Sequence, residues 1–82
     1  MTEKKLVYLS GMHANQSGRV VRIEGGAGLV SRLGAMGIRP GRKITKLSSM
    51  LLRGPVFTQA GSTRLAIGFG MASKILVELD ES

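Results

Sequence analysis

Apolar residues recur along the chain at two spacings, one typical of β-strands and one typical of a helix. Five short stretches show the strand-like pattern: Gly18–Glu24, Lys43–Ser48, Val56–Gly61, Thr63–Ile67 and Lys74–Leu79. The helix-like stretch lies between the first two. Short strands, closely spaced turn signals and one helix predict a mainly β fold, arranged as a small and partly open barrel.

The helical pattern rests on three apolar residues at positions i, i+4 and i+7: Leu29, Leu33 and Met36. A helix of two to three turns is too short to be stable alone in water, so we expect it to pack on the sheet. Gly37 stands where a glycine would close the helix, and Pro40 follows shortly after it. Pro40 and Gly41 suit the two central positions of a type II turn.

Alternation also predicts which strand residues share a face. In the first strand, Val21 and Ile23 fall on one face and Val20 on the other. In the second, Ile44 and Leu47 fall on opposite faces, which predicts a bulge or a strong twist. In the later strands the inward positions are Val56, Thr58, Ala60, Leu65, Ile67, Ile75, Val77 and Leu79.

The chain of 82 residues is long enough for one domain. We predict an N-terminal extension over residues 1–8, the folded domain over 9–79, and an acidic tail over 80–82. The absence of cysteine excludes disulfides and thiolate metal sites. No apolar run approaches the roughly 20 residues of a membrane helix. We therefore expect a cytoplasmic protein without a membrane span.

Charge sharpens the expectation of a partner. The net charge is +7, and residues 1–77 contain all 12 basic residues but only two of the five acidic ones. Such a body favours an acidic protein face, anionic lipid headgroups or nucleic acid. Five basic residues cluster around the Pro-Gly turn and the strands that follow: Arg39, Arg42, Lys43, Lys46 and Arg53. The chain has only three aromatic residues on which bases could stack, so we rank an acidic protein above nucleic acid.

A run of large apolar residues, Met50 to Leu52, precedes Arg53 and the turn signal Gly54-Pro55. At a hairpin tip this run either caps the open end of the barrel or meets a partner, including a second copy of the chain. The predicted partner-binding residues are therefore Met50, Leu51, Leu52, Arg53, Arg39, Arg42 and Lys43.

Sites for catalysis, cofactors and metals find no support in the sequence. The segment Gly26–Ser31 resembles a dinucleotide-binding loop, but no acidic residue follows about 20 positions later. His13 is the single histidine, too few ligands for a protein zinc site. No nucleophile motif or paired carboxylates accompany it. We expect no enzyme activity, no cofactor and no bound metal.

Several motifs in a fixed order resemble the FeoA family of ferrous-iron transport accessory proteins. They are Arg32-Leu33, Met36-Gly37, Pro40-Gly41, Gly54-Pro55, and Ala72 before a final apolar strand. The resemblance extends from about Leu9 to Glu78. It implies an SH3-like small β-barrel with a short helical insertion after the first strand.

The resemblance also implies a function. Such proteins are cytoplasmic, non-enzymatic partners of FeoB-type ferrous-iron transporters, whose cytosolic part includes a GTPase region. The expected role is to bind that region and to support or regulate uptake. The alternative that charge leaves open is a basic SH3-like module that binds nucleic acid.

Overall fold

The computed structural model describes residues 5–49 and 54–80, together with the side chains of all of these except Ser49. Its elements are β1 (Leu6–Tyr8), β2 (Ser17–Ile23), α1 (Ala27–Ala35), β3 (Lys43–Ser49), β4 (Val56–Ala60), β5 (Thr63–Ile67), α2 (Phe69–Ala72) and β6 (Ile75–Leu79). A single 3-10 turn, Leu9–Gly11, follows β1. The mainly β prediction is confirmed.

The six strands form one sheet in the order β1-β6-β2-β3-β4-β5, and all neighbouring pairs are antiparallel. Within the described residues β1 and β5 are open edges, so the sheet does not close into a full barrel. Strand β1 lies inside the segment 1–8 that the sequence assigned to an extension. A strand of three residues is too short to show alternation, and pairing with β6 establishes it. The helix consequently follows the second strand, not the first.

Strand β2 departs from the predicted faces. Val20 pairs with Val77, and Arg22 pairs with Leu76, so Val21 is an extra residue in a β-bulge. Val20 is 2% exposed whereas Val21 is 38% exposed. The prediction that Val21 and Ile23 share one face, with Val20 on the other, is wrong, because the extra residue shifts the alternation and both Val20 and Ile23 pack toward the core.

Strand β3 contains the bulge that its sequence predicted. Lys46 pairs with Thr58 and Ser48 pairs with Phe57, which leaves Leu47 as the extra residue. Ile44 is buried in the core, while Leu47 is half-buried. The bulge bends the outer side of the sheet at this point.

Helix α1 ends where the sequence predicted. Gly37 has a φ of 89° and donates its N–H to the Gly34 carbonyl at 3.0 Å. The Ile38 N–H reaches the Leu33 carbonyl at 2.9 Å, which completes a Schellman motif. Leu33 and Ile38 are both fully buried, so the same motif fixes two core residues. The two other predicted anchors, Leu29 and Met36, pack against the core while half-buried.

The turn after α1 is held by β2. Arg42 donates its N–H to the Arg39 carbonyl at 3.1 Å, and Gly41 has a φ of 89°. These features agree with the predicted type II turn around Pro40 and Gly41. The Gly41 N–H also donates to the Val20 carbonyl at 2.8 Å, so the turn is bonded directly to the sheet.

The core lies between the sheet, α1, α2 and the 3-10 turn. Its buried apolar side chains are Leu9, Met12, Val20, Leu33, Ile38, Ile44, Val56, Ala60, Ile67, Ala72, Ile75 and Val77. Val56, Thr58 and Ala60, which were predicted to share one face of β4, are all buried, and Ala72 of α2 is buried as well. Gly54 and Pro55 lie in the segment that leads into β4. Among the described helices, none is long and apolar enough to cross a membrane.

Candidate partner-binding surface

Three of the seven predicted partner-binding residues lie in the described part of the chain. Arg39, Arg42 and Lys43 are exposed around the turn that opens β3. Met50–Arg53 lie outside the described residues, so the apolar tip stays a prediction.

Arg42 lies beside the β4–β5 turn. Its guanidinium lies against Gly61, in the space that a Cβ at this position would occupy. Gly61 has a φ of 63°, which favours glycine there. The Gln59 amide donates to the Gly61 carbonyl at 3.1 Å and holds the turn in place. The Arg42 guanidinium is therefore close to an ordered turn.

Lys43 forms an ion pair with the predicted acidic tail. Its Nζ lies 3.3 Å from Asp80 Oδ2, and both side chains are well exposed. The Asp80 N–H donates to the Ser17 carbonyl at 2.9 Å, so this residue is bonded to the sheet at the start of β2. An exposed pair of this kind contributes little to stability, but it offsets part of the Lys43 charge.

Arg19 is a basic residue that sequence reasoning missed. It lies opposite Lys43 in the β2–β3 ladder, and its Nη1 donates to the Gly41 carbonyl at 3.1 Å. The pairing of β2 with β3, which is not visible in either strand alone, brings it to the turn. We call Arg19, Arg39, Arg42 and Lys43 the basic rim. Within the described residues, the Arg39 side chain forms no ion pair and no hydrogen bond.

Lys46 does not belong to the basic rim, contrary to the predicted basic cluster. It is 3% exposed, and its Nζ donates to the Met12 carbonyl at 2.5 Å and to the Ser10 carbonyl at 3.2 Å. Burial lowers the pKa of Lys46 below its usual value. The preceding loop is also bonded to the Lys46 backbone, because the N–H of Asn15, whose φ is 71°, donates to the Lys46 carbonyl. Lys46 thus fastens this loop to β3.

A second polar cluster crosses the outer side of the sheet between β1 and β2. The Tyr8 hydroxyl donates to Glu24 Oε1 at 2.6 Å, and Arg22 Nη2 lies 2.9 Å from Glu24 Oε2. The hydrogen bond from Tyr8, followed by that from Arg22, lowers the pKa of Glu24, while the hydrogen bond to Glu24 raises the pKa of Tyr8. Tyr8 and Arg22 each lie opposite Leu76, which is 7% exposed beneath this Tyr8–Glu24–Arg22 bridge.

The outer side of β3, β4 and β5 carries a groove that the sequence did not indicate. Its volume is about 390 Å³, and its walls are Leu47, Ser48, Phe57, Arg64, Leu65 and Ala66. Phe57 is 38% exposed, although its neighbours in β4 are fully buried. The groove combines an apolar floor with one guanidinium, and it lies apart from the basic rim residues.

The described residues contain no group of three or more histidine, cysteine, aspartate or glutamate side chains placed to hold a metal ion. His13 is exposed and belongs to no such group among the described residues. The glycine-rich segment before α1 serves as the strand-to-helix connection, with Gly26 at the N-cap and no side-chain cap.

Comparison with known proteins places this architecture in a family. The model of the FeoA domain matches residues 7–79, nearly the whole chain. The chain belongs to the FeoA family. This confirms the resemblance found in the ordered motifs.

Individual FeoA relatives agree with this assignment. The chain is 39% identical over 59 residues to a protein of Methanocaldococcus jannaschii named as an Fe(2+) transport protein A, covering 72% of this chain and 70% of that one. A crystal structure described as an iron uptake regulatory protein, FeoA, superposes with a TM-score of 0.85 and 38% identity. It covers 93% of this chain and 99% of the other.

A third relative defines the fold class. FeoA of Stenotrophomonas maltophilia, solved with zinc and described as a prokaryotic SH3 domain protein, superposes with a TM-score of 0.72. The identity is 20%, covering 90% of this chain and 89% of the other. The SH3-like fold class predicted from the resemblance is therefore confirmed, with the sheet open at β1 and β5.

Proposed function

We propose that this chain is a non-enzymatic, cytoplasmic accessory protein of ferrous-iron transport that binds the cytosolic part of a FeoB-type transporter. The observation that carries the proposal is the FeoA match over residues 7–79, together with the 39% identity to a protein named for Fe(2+) transport. A small β domain with exposed basic side chains around one turn suits an adaptor that acts by binding.

The basic rim supports a charge-complementary protein partner. Four cationic side chains lie around one turn, and one of them, Arg19, is oriented by a hydrogen bond to the Gly41 carbonyl. Orientation before binding lowers the entropy that association costs. An acidic surface on the transporter's GTPase region would therefore be attracted and positioned by this rim. The predicted apolar tip, Met50–Arg53, would add contact area beside it.

The direct test has a cellular and a molecular arm. Deletion of the gene should reduce ferrous-iron uptake, and expression of the wild-type chain should restore it. In a titration of the ¹⁵N-labelled chain with the cytosolic GTPase region, we expect shifts at Arg39, Arg42 and Lys43 in at least one nucleotide state. Normal uptake after deletion would contradict the transport role, whereas intact transport dependence without these shifts would contradict only the contact surface.

The second candidate is a nucleic-acid-binding module, which the net charge of +7 favours. Phosphate-driven affinity for RNA or DNA should fall steeply as salt rises. The described aromatic residues Tyr8, Phe57 and Phe69 lie on β1, β4 and α2, away from the rim turn. This separation weakens the single-strand binding mode, because that mode stacks bases beside a basic groove. Absence of binding at low salt would remove this candidate.

A further inference from the structure

The groove on the outer side of β3, β4 and β5 has no basic rim residue among its walls. The Leu47 bulge bends β3 beside it, and Phe57 and Ala66 lie opposite each other in the β4–β5 ladder. Its volume of about 390 Å³ is at the small end for a ligand site, enough for one or two side chains of a longer ligand. The shape therefore suits a segment laid across the groove more than an enclosed small molecule.

The chemistry of the groove selects the kind of segment. Arg64 is exposed on one wall, and no described residue supplies it with an ion pair or a side-chain hydrogen bond. Leu47, Phe57 and Ala66 provide the apolar surface beside it. A ligand that satisfies both parts presents an aliphatic side chain and a carboxylate on the same face. In an extended segment these two residues are separated by one other residue.

The edge of the sheet supplies the third element. Strand β5, Thr63–Ile67, borders the groove and pairs only with β4 in the described part of the chain. The backbone groups along its other side are available to an incoming strand. Addition of a strand at such an edge uses main-chain hydrogen bonds for affinity and neighbouring pockets for specificity.

We propose that this groove binds an extended, acidic protein segment, which adds as a strand along β5 and places an aliphatic side chain against Phe57 and a carboxylate against Arg64. Charge argues against a second copy as the occupant, because pairing β5 with itself brings two Arg64 side chains and two bodies of net charge +7 together. The inference rests on the proposed function only in assigning a protein partner. A negative result in the iron-uptake experiment and a negative result in the groove-binding experiment can therefore be told apart.

The probe is the capped peptide Ac-ETLTETL-NH2, in which glutamate and leucine alternate on one face of an extended strand and threonine occupies the other. It is titrated into the ¹⁵N-labelled full chain at about 0.15 M salt, where charges on distant surfaces are largely screened. We expect backbone shifts at Leu47, Phe57 and residues 64–66. The lysine counterpart, Ac-KTLTKTL-NH2, should produce none. Proline at the centre, in Ac-ETLPETL-NH2, keeps the glutamates and leucines, removes one N–H and should weaken binding, since a strand is required.

Arg64→Glu and Lys74→Glu form the matched pair of protein variants. Both change the net charge equally, and Lys74 is exposed and absent from the groove walls. Arg64→Glu should raise the Kd about tenfold, whereas Lys74→Glu should leave it within about twofold. Phe57→Ala should also weaken binding, with retained dispersion of the spectrum showing that the variant is folded.

Three results would overturn the proposal. The first is absence of groove shifts with the acidic peptide at about 1 mM, which is the weak limit of a specific contact. The second is an equal loss of affinity in the two charge variants, which indicates attraction to net charge alone. The third is a stronger response of the same groove residues to an oligothymidylate, which assigns the groove to nucleic acid.

Discussion

Two strands of the sheet carry a β-bulge, and the two bulges differ in how well sequence reveals them. In β3, Ile44 and Leu47 are the only large apolar residues, and they are out of phase, so an extra residue is needed. In β2, Val20, Val21 and Ile23 are all β-branched and apolar. Strict alternation groups Val21 with Ile23, whereas the bulge places Val20 on the core side. A bulge is predictable only when polar residues exclude the alternative register.

Each bulged strand has an ionisable group nearby with a lowered pKa, Lys46 for β3 and Glu24 for β2, and the causes are opposite. Burial lowers the pKa of Lys46, beside the β3 bulge, because its charged form is the less favoured one. Hydrogen bonds lower the pKa of Glu24, just beyond β2, because its charged form is the favoured one. Burial of the charged Lys46 therefore destabilises the folded state, whereas the hydrogen bonds to the Glu24 carboxylate stabilise it.

The largest effect is expected from Lys46→Ala, which acts on the β3 side. It removes the donor of two loop carbonyls and empties a buried site, which should lower the free energy of unfolding by about 3 kcal/mol. Urea unfolding followed by circular dichroism measures the change. Lys74→Ala, at an exposed lysine, is the matched control and should be nearly neutral. Equal stability of the two variants would show that Lys46 does not fasten the loop.

On the β2 side, Val20→Ala and Val21→Ala separate the two valines. Val20→Ala should cost about 2 kcal/mol because it leaves a cavity in the core, and Val21→Ala should cost less than about 0.5 kcal/mol. The same unfolding experiment measures both. The reverse order would place the bulge elsewhere in β2.

A smaller effect is expected in the alkaline range. Because the pKa of Lys46 in the folded chain is below the ordinary 10.5, the unfolded chain binds more protons between those two values. Stability should therefore rise with pH in the alkaline range below 10.5, relative to Lys46→Met, which cannot titrate. Urea midpoints at each pH measure the difference. A wild-type profile parallel to that of Lys46→Met would contradict the assigned pKa direction.

The smallest effect concerns the Tyr8–Glu24–Arg22 bridge. The stabilisation from the Glu24 carboxylate is present above its ordinary pKa of 4.5 and is lost as pH falls through the lowered value. Tyr8→Phe should move the pKa of Glu24 back toward 4.5, which carboxyl ¹³C shifts would record. Val21→Ala leaves the bridge atoms in place and should not alter this titration. An unchanged Glu24 titration in Tyr8→Phe would contradict the hydrogen bond.

The candidate surfaces were partly predictable. Arg39, Arg42 and Lys43 are neighbours in sequence, so their clustering follows from the turn itself. Arg19 joins them only through pairing of β2 with β3, and Lys46 leaves them because its strand position points it under the loop of residues 10–16. The groove was not predictable, since its walls come from three strands and from a bend at Leu47.

In this FeoA-family chain, backbone preferences and spacings within a few residues indicate the helix stop at Gly37, the turn at Pro40-Gly41 and the bulge at Leu47. The order of these local signals along the chain indicates the class of fold. Four outcomes are visible only in the folded chain: residues 6–8 form a strand, Val20 faces the core, Lys46 is buried and Arg64 borders a groove. Those outcomes depend on which strands become neighbours, and strand pairing is settled by contacts between residues far apart in the chain.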